Sequence, residues 1–524
     1  MKKNIALFGG SGSMGFETFK VLWERRDQVR ITLLLLPLPR EKKMFRPYIR
    51  QAKGDQLRIV WGDATQYADV KEAIRGAEYV LDAMAIIPPI ADYYPEKAKA
   101  VNVDALAHMI QAIGEEPDGN ARIKLAYTGT VAETGDRPPP VHWGRVGDPL
   151  KPSMYDCYAV TKIAGERMVL ESDIQHWASL RMTGIMPVHA KELIAKGADP
   201  LGFHMPPNAC MENITNRDAG LGLANVVEVP DDSSFWRGIY NMGGGPRMRL
   251  PACEFYQKTF GLFGTSDITQ VLDRNWFTVQ NFHMHYYADS DVCNKYLHYQ
   301  RDSTESWMNV MEKTLPLGLR IARKLASISP FVQRMLDARV RKTNKKMLET
   351  HRNGTLYWRK HGNKKRLDAF YGGQEAYDNL PGWEALPACL HYGDEEPALL
   401  DHGYDESKAV LDLEDLQGAA AFRGGRCLSE TWDRDLFAPV EWECAFGHRF
   451  TARPNTVLKG GHWCPECEAP DWNFKRIAAK NPFFNQVVAP FTKGLPDYVI
   501  TEADMDDIKG ADRDAWDVAQ ERSQ

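Results

Sequence analysis

Short, nearly unbroken apolar runs alternate with stretches of helix length from the first residues onward. Residues 5–8 predict a buried strand, and Gly9-Gly10-Ser11-Gly12-Ser13-Met14-Gly15 turns the chain into a helix carrying Phe16, Phe19, Val21 and Leu22. Further strands are predicted over 30–36, ended by Pro37 and Pro39, and over 57–60, 79–84 and 123–127, with helices between them that include 67–74 and 97–113. Continuous apolar strands spaced by helices mark a parallel sheet covered on both faces, an α/β architecture. A Pro/Gly-rich stretch, 132–151, reads as an active-site loop. A helix over about 158–171 and a strand over 178–183 follow it. Residues 213–218 and 238–243 read as later segments at the far edge of the same unit, whose end is expected near 265.

Beyond that point the pattern changes. The chain has 524 residues, 44% of them hydrophobic, which is long for a single core, so more than one domain is expected. The divisions read as 1–265, the α/β unit; 266–420, a mostly helical basic extension; 421–475, a small cysteine-bearing module; and 476–524, an extension with a polar tail. The region 320–366 combines a Leu/Met/Ile/Val stripe with a basic run that includes Lys342, Lys345, Lys346, Arg359, Lys360, Lys364, Lys365 and Arg366. It reads as a solvated helix face and linker, the alternative being a surface for an acidic, phosphate-bearing substrate or partner.

Charge and leader content narrow the class. With 65 basic and 70 acidic side chains the net charge is -5, which leaves no overall positive field to concentrate nucleic acid or an anionic membrane. No apolar run reaches bilayer length, and Met1-Lys2-Lys3 runs straight into a strand rather than a signal-peptide core. A cytoplasmic protein acting on a small molecule, with neither nucleic acid nor membrane as partner, is expected. Nine cysteines in a chain this long do not form a disulfide framework.

Gly9, Gly12 and Gly15 directly follow a predicted strand and open a helix. That spacing lets the chain turn sharply, lets a pyrophosphate approach the backbone and lets helix and strand pack closely, while the N–H groups around Ser13 and Met14 face the phosphates. A nicotinamide dinucleotide is the expected ligand. No carboxylate ends the second strand; Leu36-Pro37-Leu38-Pro39-Arg40 does, and Arg40 could receive a 2′-phosphate, so NADP is favoured over NAD. Asp63 is placed to bond the adenine amine, or else to cap a helix.

Tyr158-Ala159-Val160-Thr161-Lys162 puts a phenol and an ammonium four residues apart on one helical face. Lys162 can lower the phenol's pKa and reach the nicotinamide ribose, and Tyr158 can then exchange a proton with a carbonyl or alcohol oxygen. Thr130 is the first candidate for the hydroxyl that orients this oxygen, Thr128 the second. Tyr155 lacks a lysine four residues on and is expected to line the substrate cavity.

With these motifs, residues 1 to about 265 resemble the extended, epimerase/dehydratase-like branch of the short-chain dehydrogenase/reductase superfamily. Asn102 in Ala100-Val101-Asn102-Val103-Asp104, Arg181 in its strand, Asn216-Arg217-Asp218-Ala219 and Tyr240-Asn241-Met242-Gly243 add to the likeness. The resemblance implies a Rossmann-type doubly wound parallel sheet and a catalytic set of Thr130, Tyr158, Lys162 and Asn102, with Asn102 fixing backbone and water near Lys162. It places Ala83, in Asp82-Ala83-Met84-Ala85, over the cofactor and suggests a homodimer. Three activities are compatible with it. The first is reduction of a carbonyl or oxidation of a secondary alcohol on an uncharged small molecule; the Met/Pro-rich segments 186–189 and 204–211, which offer no basic pair for a diphosphate, favour it. The second is sugar-nucleotide epimerisation or dehydration with internally recycled NAD. The third is a non-catalytic nucleotide sensor or scaffold. The carboxylate that dehydratases carry beside the catalytic hydroxyl is displaced here to Glu133.

Two further groups stand out. His283, His285, Tyr286 and Tyr287 could line the active site, or hold a metal if 283 and 285 point the same way on a strand. Cys444 and His448, then Cys464 and Cys467, have the spacings of two tight turns aimed at one tetrahedral centre, similar to a zinc ribbon. A structural zinc is expected, with His462 as an alternative to His448 that spacing alone does not decide. Glu441, Glu443, Glu466, Glu468 and Asp471 around it oppose a nucleic-acid backbone.

Overall fold

The computed structural model describes residues 2–196, 199–386, 396–468, 471–491, 495–510, 512–514 and 516–517. Its centre is a seven-stranded sheet of β1 (Lys3–Phe8), β2 (Val29–Leu35), β3 (Leu57–Trp61), β4 (Tyr79–Asp82), β5 (Lys124–Thr130), β6 (His176–Met182) and β7 (Gly238–Met242). The order is β7-β6-β5-β4-β1-β2-β3 and every pairing is parallel. This is the Rossmann-type arrangement expected. Alternate side chains of β1 enter opposite cores, Ile5 and Leu7 on one face, Ala6 and Phe8 on the other, so both faces are covered and the strand reads as a continuous apolar run. The order reverses between β1 and β4, which opens a crevice at their carboxyl ends.

Several expected segments differ. Strand β5 continues through Thr130 rather than ending before it, which puts the Thr130 backbone under sheet control. The helix expected over 97–113 is interrupted by a π-turn at Ala100–Asp104. Residues 213–218 are not an edge of the main sheet: Cys210–Thr215 belongs to a separate three-stranded sheet, and Thr215 caps the helix Asn216–Asn225. The core also continues past 265, because Cys293, Leu297 and Tyr299 pack into the cluster that lines the sheet.

The 132–151 loop is buried and pinned. Trp143–Gly144 pairs with Tyr286–Tyr287. Asp148, fully buried, takes Arg137 on one oxygen (2.5 Å) and His402 on the other (2.9 Å), with His402 also bonded to Glu406. The later chain wraps the earlier one. Trp358, Leu367, Phe370, Met505 and Ile508 share a core with Tyr93, Met154 and Tyr155.

Candidate active site

The glycine turn is built as its sequence requires. Gly9 has φ +73, and a Cβ there would meet the Ala83 carbonyl carbon at 2.6 Å, so the turn sits directly against the end of β4. A Cβ on Gly15 would overlap Gly9 O, whereas one on Gly12 would meet only Gly9 O, at 3.3 Å. Gly12 thus keeps the approach open at the start of helix Ser13–Glu24, which no side chain caps. The Ser13 hydroxyl is bonded to Glu192 and Asn216, and Met14 is buried, so neither side chain is free to cap the helix. Gly15→Ala should drive the helix off the turn. Its dinucleotide affinity, followed by quenching of intrinsic fluorescence, should fall at least about tenfold, roughly 1.4 kcal/mol, with the melting temperature moving far less.

Arg40 lies exposed in the first turn of helix Pro39–Gln51. Beside it, Glu41 Oε2 is buried without a hydrogen-bond partner, an acceptor at the place where the sequence showed none at the strand end itself. The Asp63 carboxylate is used locally, accepting from Thr65 N at 2.9 Å.

Thr130, Tyr158 and Lys162 converge beside this crevice. Asp156 caps the helix Cys157–Leu170 through Ala159 N (2.9 Å), fixing where Tyr158 emerges. Thr130, not Thr128, lines the cavity with Tyr158, and its hydroxyl acts to lower the pKa of the phenol. Ala132 N donates to Thr130 Oγ1 at 3.2 Å and Glu133 Oε1 accepts from Thr130 N at 2.8 Å. This is a capping box that Thr-x-x-Glu announces in the sequence, and it accounts for Glu133. Glu133 also pairs with Arg181 at 3.2 Å, so it does not serve as a free carboxylate beside the substrate. Burial pushes its carboxyl up to about 8, with Glu166 adding to the shift and Arg181 opposing it.

Lys162 is buried, its Nζ 4.1 Å from the Tyr127 ring centroid and without a hydrogen-bond partner. Burial lowers its pKa, and Asp82, Glu133 and Glu166 oppose that fall. Asp82, whose role the sequence left open, is a buried counter-charge for Lys162. An orphaned ammonium next to a glycine cradle suits the ribose hydroxyls of a dinucleotide, so these residues fit such a cofactor. Burial raises the Tyr158 phenol well above its ordinary value, the Thr130 hydroxyl opposing. Asn102 sits in the π-turn, a common irregularity at functional sites. It clamps the Ile86 backbone from both sides (2.8 and 3.0 Å) and bonds Thr161 Oγ1 at 2.9 Å, bracing the catalytic helix against the end of β4.

The cavity in front of Tyr158 holds about 420 Å³ and is closed by the later chain: Phe282, His283, Met284, Arg366, Phe370, Met505 and Ile508 line it. Tyr155 lines it too, as expected, in a left-handed conformation (φ +68). Arg366 does not belong to a solvated run. It is 2% exposed, lies 3.7 Å from the Tyr155 ring centroid, and its Nε and Nη2 have no hydrogen-bond partner; Asp507 is 3.8 Å away. Burial pushes Asp92 well above its ordinary range, with Asp156 adding to the shift and Arg366 opposing. His283 and His285 part company, because only Tyr286–Tyr287 are extended there. His283 bonds Asp156 at the cavity wall, whereas His285 is buried against Thr134, so the two do not form a metal pair.

The cysteine module forms a second centre. Among the described residues, Cys444, His448, Cys464 and Cys467 bring one ligand atom each within 4.8 Å of one another. Cys444 and Cys467 sulfurs are 3.8 Å apart, and His448 Nδ1 is 3.5 Å from both Cys464 and Cys467. Zinc bonds of about 2.3 Å to sulfur and about 2.0 Å to nitrogen put tetrahedral ligands about 3.8 Å (S to S) and about 3.5 Å (S to N) apart, so the donor set fits that ion. His462 is not among these ligands. It is buried between Glu166 (3.0 Å) and Glu468 (3.3 Å). Glu468, counted in the sequence among charges facing a partner, turns inward to His462 and Arg167. Glu166 in turn holds Arg181 through two bonds (3.0 and 2.6 Å) and Ser179 through one (2.6 Å). A continuous buried path therefore runs from the Cys464–Cys467 loop through the catalytic helix to Glu133 and the Thr130 backbone.

Residues 5–190 match the NAD dependent epimerase/dehydratase family. No curated protein matches the chain. Similar solved structures include the UDP-glucuronic acid 4-epimerase of Bacillus cereus in complex with UDP-glucuronic acid and NAD, with 15% identity over 59% of this chain and 98% of that one and a TM-score of 0.46. The dTDP-glucose 4,6-dehydratase of Bacillus anthracis in complex with NAD has 12% identity over 60% and 96%, TM-score 0.45. The UDP-glucose 4-epimerase of Thermus thermophilus in complex with NAD has 15% identity over 59% and 98%, TM-score 0.43.

Proposed function

We propose, from the match of residues 5–190 to the NAD dependent epimerase/dehydratase family, that the protein is an oxidoreductase that reduces a carbonyl or oxidises a secondary alcohol, with Tyr158 as acid/base. The observation that carries this reading is that Thr130 and Tyr158 line one cavity wall, with the orphaned Lys162 ammonium one helical turn on from Tyr158.

A nicotinamide dinucleotide, when bound, supplies or takes up the hydride. Thr130 orients the substrate oxygen, since its own acceptor position is used by Ala132 N. Tyr158 gives that oxygen a proton in reduction and removes it in oxidation. Burial makes the phenol hard to ionise, so a cation brought near it would stabilise the phenolate; Lys162, one turn along the same helix, is the residue to supply it, and Asp82 helps keep Lys162 charged. Asn102 holds the helix that carries both. Cys444, His448, Cys464 and Cys467 would hold a structural zinc outside this chemistry.

The cavity of about 420 Å³, walled in part by Phe370, Met505 and Ile508, supports a compact substrate over a sugar nucleotide. The uncharged substrate expected from 186–189 and 204–211 is revised: Arg366 lines the cavity with its Nε lacking a hydrogen-bond partner, which suits an oxygen-bearing end on an otherwise apolar body. Family and Glu41 support NAD, whereas Arg40 is the residue that would prefer NADP.

Denaturing the purified protein and identifying any released nucleotide tests the reading. An exchanging oxidoreductase should yield an empty or substoichiometric site and change absorbance at the reduced-nicotinamide band on turnover. A stoichiometric, non-exchanging NAD with no net absorbance change would replace it with the epimerase or dehydratase reading.

A further inference from the structure

The helices Leu317–Ile328 and Pro330–Thr350 pack against each other, joined by Ser329, yet their apolar stripe faces outward. Of the sixteen exposed large apolar side chains in the described residues, six fall here: Leu317, Ile321, Leu325, Ile328, Phe331 and Met335. Ile328 and Phe331, on either side of the connection, are 73% and 66% exposed. At 100° per residue, Leu317, Ile321, Leu325 and Ile328 span an arc of about 80°. In the first helix only Ala326 is buried.

Charge follows the same design. Residues 317–350 hold nine basic side chains against Asp337 and Glu349, in a chain whose net charge is -5. Arg323 pairs with Glu312, Arg341 with Asp273 and Lys345 with Glu349, and Asp337 is occupied by Ser266 and Gln333. Arg320, Lys324, Arg334, Arg339, Lys342 and Lys346 have no ion-pair partner among the described residues. On the second helix, the exposed face passes from Phe331 and Met335 near the tip to Arg339, Lys342 and Lys346 further along. An apolar end followed by long basic side chains suits the boundary between acyl chains and headgroups, where the aliphatic stems are buried and the charges reach phosphate. No helix in the described residues is long and apolar enough to cross a membrane, so the pair would lie in the boundary rather than span it.

We propose that this helix pair docks the protein on an anionic lipid bilayer, with the Leu317-to-Met335 stripe entering the headgroup region and the unpaired basic side chains meeting lipid phosphates. Two copies of the chain meeting through the same face would bring two strongly basic surfaces together, which disfavours self-association as its use.

The test is sedimentation of the full chain with phosphatidylcholine vesicles containing or lacking phosphatidylserine. The parent protein should bind the phosphatidylserine vesicles and lose most of that binding at high salt, since each basic side chain near such a surface contributes about fivefold. The Ile328→Glu/Phe331→Glu variant should lower the partition coefficient at least about tenfold. Arg320→Gln/Lys324→Gln/Arg334→Gln/Arg339→Gln should erase the preference for the anionic lipid. Both sets replace exposed side chains, and an unchanged near-ultraviolet circular dichroism spectrum would confirm the fold. Absence of vesicle binding, or equal binding by parent and both variants, overturns the proposal. So does a change in oligomeric mass without lipid, if vesicle binding is unaltered; the face would then be a contact between copies.

Discussion

Tyr158→Phe should lower kcat by about a thousandfold, roughly 4 kcal/mol of transition-state stabilisation, while leaving dinucleotide affinity within a factor of about three. The change removes one hydroxyl and keeps the ring, so the helix Cys157–Leu170, its Asp156 cap and the Lys162 environment stay as they are. Lys162→Met is a poorer probe. Asp82, Glu133 and Glu166 all act on that ammonium, and removing it leaves buried Asp82 without its counter-charge, so stability and chemistry would fall together. The measurement is steady-state turnover alongside a binding titration. Undiminished turnover in the Phe variant would discard the acid/base assignment and leave a nucleotide-binding scaffold as the better description.

The second large effect concerns the metal centre. Stripping zinc with a chelator, or Cys464→Ser, should lower the melting temperature by more than 10 °C, since structural zinc supplies on the order of 10–16 kcal/mol of apparent folding energy in small modules. It should also depress turnover, although no metal ligand reaches the cavity. Glu468 and His462 hold Glu166, which holds Arg181, which holds Glu133 under Thr130. Breaking one member of a buried ion network costs about 3–5 kcal/mol. Paired variants in the same loop separate this coupling from general unfolding. Glu468→Gln should reduce kcat, whereas Glu466→Gln, on an exposed side chain 3.6 Å from His448, should not. One zinc per chain by elemental analysis is expected in the parent, and equal activity in the two glutamate variants would dismiss the coupling.

What could be read from the sequence was local. Gly9, Gly12 and Gly15, the Tyr158/Lys162 pair and the Cys444/His448 and Cys464/Cys467 turns encode their geometry in spacings of seven residues or fewer, so a helix or turn brings each set together. The parallel sheet was legible for the same reason. Interactions made over long separations were not. Arg366 looks like the end of a solvated basic run until the fold lays it on Tyr155, and His462 looks like a spare zinc ligand until Glu166 is seen beside it. Strand alternation suggested a histidine pair at 283 and 285, but extended structure begins only at Tyr286. The stripe at 317–335 was read with the basic run as a solvated helix face and linker; its apolar side chains are indeed exposed, but periodicity locates an apolar face without saying what meets it.

The closing of the cavity by Met505 and Ile508 has a consequence for the order of events during synthesis. The glycine turn at Gly9–Gly15 leaves the ribosome several hundred residues ahead of Met505 and Ile508. At about 5–20 residues per second, tens of seconds separate the two. A nascent chain therefore completes its parallel sheet long before this wall of the cavity exists, so the sheet must fold without it.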